Sequence, residues 1–178
     1  MTDIALVTGG GGTLGTNVAQ RLMTKDFRVV LAGRSQDKLD NSPLKDVLKF
    51  AADLSNPENI GQLYLAIFEQ YGEPPSLLAH CAGSVMVRPM NRITQEQYHN
   101  CVRNNLDTAF FTLQKFVQGL LDHKLPGSAV LVSSVAGRIG ISNHTDIAAP
   151  KPRIKGMNTI PAPQKAKQPK RINAIPPP

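Results

Sequence analysis

The sequence lacks any run of about 18 apolar residues, which excludes a membrane-spanning helix of ordinary length. It has only two cysteines, Cys81 and Cys101, which are too few for a disulfide framework. The N-terminus carries an acid at Asp3 and no basic stretch ahead of an apolar segment, so we expect no secretory signal. These absences predict a cytoplasmic protein with reduced thiols and no membrane association.

Acidic residues are absent from residues 151–178, which carry seven basic ones. Residues 1–150 hold equal numbers of basic and acidic side chains, so this last segment carries the whole net charge of +7. Together with Pro150, it also contains eight of the 14 prolines. The segment has no Tyr, Phe or Trp on which bases could stack, so nucleic acid is not a predicted partner.

The most informative feature present is the start of the chain. A short apolar run, Ile4–Val7, is followed by four glycines, Gly9–Gly12, and by Gly15 at the mouth of a predicted helix. Glycines let the backbone turn sharply and let a phosphate approach main-chain N–H groups. The pattern predicts a strand, turn and helix that hold the pyrophosphate of a dinucleotide.

Short apolar runs alternate with longer helical patterns along the body of the chain. This alternation predicts an α/β fold with a doubly wound parallel sheet in a single domain of 178 residues. The five predicted strands are residues 4–7, 28–32, 47–51, 76–80 and 129–132.

Three long helices are predicted between these strands. The first has Leu14, Val18 and Leu22 on one face, and the second is expected to start at a capping box of Ser55 and Glu58 with Pro57 in its first turn. The third is expected to start at the capping box of residues 94–97 and to end before Pro126. The buried positions predicted for the second and third helices are Ile60, Leu63, Tyr64, Ile67, Val102, Leu106, Ala109, Leu113, Phe116 and Leu120.

Ligands of doubly wound sheets bind beyond the carboxyl ends of the strands. The candidate site residues are therefore those that follow the predicted strands: Thr8–Gly15, Gly33, Arg34, Asp53, Cys81–Gly83, Ser133 and Ser134.

In order and spacing, these residues resemble the short-chain dehydrogenase/reductase family over nearly the whole chain. The resemblance implies a Rossmann-type fold of three α/β/α layers. The motifs that carry it are the glycine-rich loop from Thr8 to Gly15, Asp53, the turn His80–Gly83, Asn105, Ser134, Lys151 and the stretch Asn173–Pro176, which resembles the one after the family's sixth strand.

The resemblance implies a nicotinamide cofactor. Arg34 follows the second strand where an acid would bind the ribose 2′-OH of NAD, so we expect NADP(H) to be preferred over NAD(H). The family's Asp contacts the adenine, a role that would fall to Asp53. The predicted cofactor-binding residues are Thr8, Gly9, Gly12, Thr13, Leu14, Gly15, Arg34, Asp53, Leu54, Cys81, Ala82, Gly83 and Lys151.

The resemblance also implies oxidoreductase chemistry on a carbonyl or alcohol, with no metal. The family's Ser orients the substrate carbonyl, its Asn holds a water in a proton relay, and its Lys binds the nicotinamide ribose and lowers the pKa of a phenol. These catalytic roles would fall to Ser134, Asn105 and Lys151.

The chain departs from the family pattern at several positions. Thr13 replaces the middle glycine of the loop, His80 and Cys81 replace two asparagines, and Ile147 stands in place of the catalytic Tyr. Because Ile cannot transfer a proton, the expected activity is impaired, and a non-catalytic NADP-binding or partner subunit is the alternative. His144 lies one helical turn before Ile147, so it is either a substitute acid or an exposed polar residue.

The match is good over residues 1–146, and residues 147–178 resemble a degraded helix and sixth strand. Pro150, Pro152, Pro161 and Pro163 fall inside that helix, where each costs about 3 kcal/mol or more, so we expect no regular helix. In the family this helix forms a subunit contact, which places homo-oligomer formation in doubt. The segment is a degenerate or truncated end, a flexible basic segment that binds acidic partners, or a stretch with proline wrongly read for other residues.

Overall fold

The computed structural model describes residues 3–137, 139, 141–159 and 170–176. Its strands form one parallel sheet in the order β3-β2-β1-β4-β5-β6. The strands are β1 (Ile4–Thr8), β2 (Arg28–Gly33), β3 (Leu48–Ala51), β4 (Leu77–His80), β5 (Gly127–Val132) and β6 (Lys170–Ile175). The predicted doubly wound parallel sheet and its first five strands are confirmed.

Helices connect the strands. The α-helices are α1 (Thr13–Met23), α2 (Gln36–Asp40), α3 (Pro57–Tyr71), α4 (Gln95–Val102), α5 (Thr108–Asp122) and α6 (Thr145–Ala148). Shorter 3₁₀ turns cover Met90–Arg92 and Val135–Gly137, and a longer 3₁₀ helix covers Lys151–Thr159. Within the described part of the chain, no helix is both long and apolar enough to cross a bilayer.

The two faces of the sheet pack against different helices. Along β1, Ile4 and Leu6 belong to the cluster formed with α3 and α5, whereas Ala5 and Val7 belong to the cluster formed with α1 and α2. This alternation follows from the period of two residues in a strand. All of β1 is buried, so its carboxyl end is a rigid support for the loop that follows.

Most of the predicted helix faces are confirmed, with two corrections. The second helix starts one residue later than predicted, because Asn56 and not Ser55 is the N-cap that accepts from the Glu58 N–H at 2.9 Å. On α1, Val18 and Leu22 pack against the core as predicted, but Leu14 is 47% exposed and the buried residues are Gly15 and Ala19. The face of α1 is therefore rotated toward its small residues, which allow a close approach to the sheet.

The third long helix starts at the predicted capping box of Thr94 and Gln97. It is not continuous, because a π-helical segment, Arg103–Asp107, separates α4 from α5. Its predicted face is buried from Ala109 onward, and π segments of this kind are frequent at functional sites.

The predicted loss of the regular helix near residue 150 is confirmed for the described residues. The α-helical turn of α6 ends at Ala148, and the 3₁₀ helix that follows buries Ile154 and Met157 in the core. The stretch Asn173–Ile175 lies within β6, rather than after it as the sequence suggested. Pro161 and Pro163 lie outside the described residues.

Candidate functional site

The carboxyl ends of β1 and β4 lie side by side in the centre of the sheet. The chain winds outward from β1 to β3, then returns to the other side of β1 as β4, so the strand order reverses at this point. Such a reversal leaves a crevice between neighbouring loops, which is where ligands of doubly wound sheets bind.

The loop after β1 is compact because glycines fill positions with no room for a side chain. Gly9 has φ +68°, and a Cβ at this position would lie 2.9 Å from main-chain atoms of Cys81 and Ala82. A Cβ on Gly15 would overlap the carbonyl oxygen of Gly9. Gly12 is the N-cap of α1, an 11-residue helix, and makes no side-chain cap hydrogen bond, so the first amides of α1 have no side-chain acceptor at this cap. This arrangement favours an anion such as a diphosphate.

A cavity of about 270 Å³ opens beside this loop. Seven predicted cofactor residues are among those that line it: Gly9, Gly12, Arg34, Leu54, Cys81, Ala82 and Gly83. The other six predicted cofactor residues, which are Thr8, Thr13, Leu14, Gly15, Asp53 and Lys151, are not among them. Gly11 and Gly33, which were expected at the site without a named cofactor role, also line it, and the lining residues that sequence reasoning missed are Ser35, Lys38, Leu39, Ala52, Asn104 and Thr108.

The end of β2 makes one wall of the cavity basic. Arg34 reaches across to the π segment, where its Nη1 donates to Asn104 Oδ1 at 2.9 Å. Lys38 of α2 also lines the cavity, and none of the described lining residues is acidic. A signal for Lys38 was present in the sequence, since it lies one helical turn after Arg34 and three residues after the N-cap Ser35.

The Asp53 carboxylate binds its own loop. Its Oδ1 accepts from the Ser55 N–H at 2.9 Å and from the Ser55 hydroxyl at 2.8 Å. Partial burial favours the protonated form, but these two hydrogen bonds and the positive charges of Arg34 and Arg103 outweigh it and hold the pKa of Asp53 below its usual value. The carboxylate is therefore ionised near the basic wall, while its neighbour Leu54 lines the cavity.

His80, at the end of β4, joins three elements of the structure. It is fully buried, with Nδ1 2.9 Å from Thr8 Oγ1 and Nε2 3.5 Å from Thr108 Oγ1. The Thr108 hydroxyl donates to Asn104 O, so it accepts from His80 Nε2–H, and Nδ1 is left to accept from Thr8. Burial and the nearby Lys151 charge lower the pKa of His80 to about 3, so the ring is neutral.

Asn105 lies in the π segment, and its side chain holds the loop after β4. Its Oδ1 accepts from the Ser84 N–H at 3.1 Å, and its Nδ2 donates to Ser84 O and Cys101 O, both at 2.9 Å. The residue is buried. The side-chain amide of Asn105 thus joins the main chain of Ser84, next to Gly83, to the main chain of Cys101 in α4.

Lys151 is only 4% exposed, and its ammonium group lies at the ends of β4 and β5. Nζ donates to Val132 O at 2.9 Å and to Ala82 O at 3.3 Å. The Ser133 hydroxyl donates to the Lys151 carbonyl at 2.9 Å and so fixes the start of the 3₁₀ helix. Burial lowers the pKa of Lys151 to about 8, although Cys81 and Cys101 pull it upward.

The remaining candidates lie at the same edge of the sheet. Ser134 Oγ accepts from the Ala136 N–H at 3.1 Å, and Ile147 is half-buried in α6. His144 precedes α6 and donates from Nδ1 to Ser142 O at 2.7 Å. Cys81 and Cys101 are thiols, and burial raises the pKa of Cys81 to about 11, so Cys81 is neutral at ordinary pH.

The family model described as short chain dehydrogenase matches residues 3–178. The chain is 25% identical over 187 residues to a (3R)-3-hydroxyacyl-CoA dehydrogenase of Canis lupus familiaris, covering 97% of this chain and 71% of that protein. It is 27% identical over 185 residues to an acetoacetyl-CoA reductase of Allochromatium vinosum, covering 99% of this chain and 74% of that protein.

Solved structures share the fold. A short chain dehydrogenase from Bacillus anthracis matches with a TM-score of 0.90 at 20% identity, covering 98% of this chain and 75% of that chain. A polyketide ketoreductase for actinorhodin, solved with NADPH, matches with a TM-score of 0.89 at 23% identity, covering 99% of this chain and 70% of that chain.

Proposed function

The chain belongs to the short-chain dehydrogenase family, a family of oxidoreductases, and on this premise we propose that it uses NADP(H) to interconvert a carbonyl and an alcohol. The observation that carries the proposal is the glycine-walled cavity at the reversal of strand order, with a basic wall and no acid among its described lining residues. The substrate class comes from the family and from relatives that are reductases and dehydrogenases of small molecules.

The residues present fit the phosphate groups of this cofactor. The N-terminal amides of α1 would bind the diphosphate, because Gly9, Gly11 and Gly12 line the cavity ahead of them without side chains. Arg34 and Lys38 would bind the 2′-phosphate through charge-assisted hydrogen bonds. When bound, the cofactor supplies the hydride, and the protein supplies orientation and electrostatics.

On the substrate side, the Ser134 hydroxyl would donate to the carbonyl oxygen, and the Asn105 segment would hold the loop that faces it. The Lys151 ammonium would bind the nicotinamide ribose only after it releases Ala82 O and Val132 O. The proton step has no phenol, since Ile147 has no group that can donate or accept. General acid catalysis contributes about 10²–10⁴-fold, so we expect slow turnover.

Calorimetry of the full chain with NADP⁺ and NAD⁺ tests the cofactor. We expect NADP⁺ to bind more tightly than NAD⁺. We expect Arg34→Ala to weaken the binding of NADP⁺ by about tenfold to a hundredfold and to leave the binding of NAD⁺ nearly unchanged. Arg21→Ala is the matched control, because Arg21 lies at the exposed end of α1. No binding of NADP⁺ to folded protein would contradict the proposal.

Turnover of NADPH with a panel of ketones tests the activity. If the site is complete except for its acid, Ile147→Tyr raises kcat by about 10²–10⁴-fold. Rates that are zero before and after this change, with cofactor binding intact, would contradict the enzyme proposal.

A second candidate function is a non-catalytic NADP-binding subunit. Two observations favour it: Ile147 replaces the acid, and the Asn105 amide is fully engaged with Ser84 and Cys101. An unchanged rate in Ile147→Tyr supports this second candidate.

A further inference from the structure

The inference below rests on the proposed NADP(H) site and concerns which part of the nucleotide this chain recognises. A doubly wound sheet of this order consists of two mononucleotide-binding halves on either side of the reversal point. Here the first half is β1–β3 and the second is β4–β6. The adenosine end of a dinucleotide belongs to the half with the glycine loop and the residue after β2, which in this chain is Arg34.

The cavity belongs to the first half. Its described lining comes from the ends of β1, β2 and β3, from α2, from the turn Cys81–Gly83 at the boundary, and from Asn104 and Thr108. None of the described residues of β5, of residues 141–159 or of β6 is among the lining.

At the second half, the Lys151 side chain binds main-chain carbonyls where β4 and β5 end. Its ammonium group is held by two main-chain carbonyls, Val132 O at 2.9 Å and Ala82 O at 3.3 Å. These are the acceptors that the ends of β5 and β4 would offer to a polar ligand. Gly83 packs so closely against the ammonium that a Cβ there would lie 2.8 Å from Nζ.

The Lys151 main chain is fixed as well. The buried Ser133 hydroxyl donates to the Lys151 carbonyl, and Ile154 and Met157 of the same 3₁₀ helix are packed in the core. Moving the ammonium away would therefore break two charge-assisted hydrogen bonds.

We propose that this protein recognises 2′-phosphorylated adenosine nucleotides through the adenosine and phosphate groups alone, and that Lys151 closes the half of the site where a nicotinamide nucleotide would bind. Hydride transfer in the proposed function then requires Lys151 to release Ala82 O and Val132 O. A ligand without nicotinamide binds without that cost.

Calorimetry of the full chain with three probes tests this: NADP⁺, adenosine 2′,5′-bisphosphate and nicotinamide mononucleotide. We expect the Kd values of NADP⁺ and adenosine 2′,5′-bisphosphate to agree within about threefold, and nicotinamide mononucleotide not to bind. NADP⁺ binding about tenfold or more tightly than the bisphosphate would overturn the inference and leave the proposed function intact. Binding of neither adenosine nucleotide would overturn both.

Lys151→Met tests the cause, because Met keeps an unbranched apolar chain but has no N–H. In this variant we expect the affinity for NADP⁺, relative to the affinity for the bisphosphate, to rise about tenfold. Lys155→Met, in the same 3₁₀ helix, is the control and should keep the wild-type ratio. An unchanged ratio in Lys151→Met would overturn the role of Lys151, and if the variant does not fold, the wild-type ratio decides the inference.

Discussion

The two halves of the sheet end in different ways at the same edge. The strands β1–β3 end at a cavity whose walls are glycine backbone and basic side chains, whereas β4 and β5 end at carbonyls occupied by the Lys151 ammonium. The first half is open beside a loop that packs closely because it has no side chain at Gly9 and Gly15. The second is closed because one long side chain is present.

Different kinds of residue therefore determine whether each half is open or closed. The shape of the open half depends on main-chain geometry that only glycine adopts without strain, so it is sensitive to any added Cβ. The closed half depends on one buried charge, so it is sensitive to pH and to loss of that charge. Substitutions that act on one half at a time can test this comparison.

The largest effect is expected from adding a side chain to the glycine loop of the open half. Gly9→Ala places a Cβ 2.9 Å from Cys81 and Ala82 at φ +68°, and we expect it to lower the free energy of unfolding by about 2–3 kcal/mol. Urea denaturation measures this. The control is Gly61→Ala in α3, which has nothing within 4 Å and should stabilise by about 0.5–1 kcal/mol. A similar change in the free energy of unfolding for Gly9→Ala and Gly61→Ala would show that the loop after β1 can relax around the added Cβ.

The next effect concerns His80, at the boundary between the halves. The folded pKa of His80 is about 3 and its ordinary value is 6.5, so only the unfolded state takes up a proton between these values. Stability is therefore lost as the pH falls, by about 2 kcal/mol between about pH 7 and pH 5. His80→Asn should remove this loss, and denaturation at each pH measures it.

His99→Asn is the control for this experiment, because His99 is exposed and should leave the pH dependence of the wild type unchanged. If the His80 variant still loses the same stability on acidification, another buried group carries the pH dependence.

The smallest effect is expected from Lys151 in the closed half. Its pKa is about 8 in the folded state and 10.5 ordinarily, so the unfolded state binds more protons in between and stability rises with pH. Relative to Lys151→Met, we expect the wild type to gain about 1 kcal/mol between about pH 8 and pH 9. Urea denaturation of both proteins at the two pH values measures the difference.

Above about pH 9 Cys81 acts in the opposite direction to Lys151 in both proteins, so the pH dependence of Lys151 is read from the difference between them and not from the wild type alone. The pKa of Cys81 is raised from 9.0 to about 11, so its contribution to stability falls as the pH rises through this range. A difference between wild type and variant that does not change with pH would mean that the Lys151 ammonium is exposed to solvent.

Sequence patterns predicted the positions of the strands and the long helices along the chain well, because the apolar periodicity of each segment is local. Ile60, Leu63, Tyr64 and Ile67 are buried as predicted. The start of the same helix was placed at Ser55 rather than Asn56, because both residues can cap a helix and the choice depends on the turn before it. The side chain of Ser55 binds Asp53 instead.

The candidate site was predicted less completely. The glycine loop and the turn Cys81–Gly83 line the cavity as expected, because strand ends can be located from the sequence. Lys38 and Asn104 were missed, since each comes from a helical segment whose position relative to the sheet depends on packing. Asn105 and Lys151 lie near each other at Gly83, although their roles in catalysis stay a prediction.

The sequence by itself determined the parallel sheet, the glycine loop, the basic residue after β2, and the break near Pro150, because each depends on residues close together in the chain. Only the tertiary structure decided that His80 lies between Thr8 and Thr108, and that the Lys151 ammonium binds Ala82 O and Val132 O. These contacts join distant segments, so they depend on strand order and on side-chain direction, which no local pattern contains.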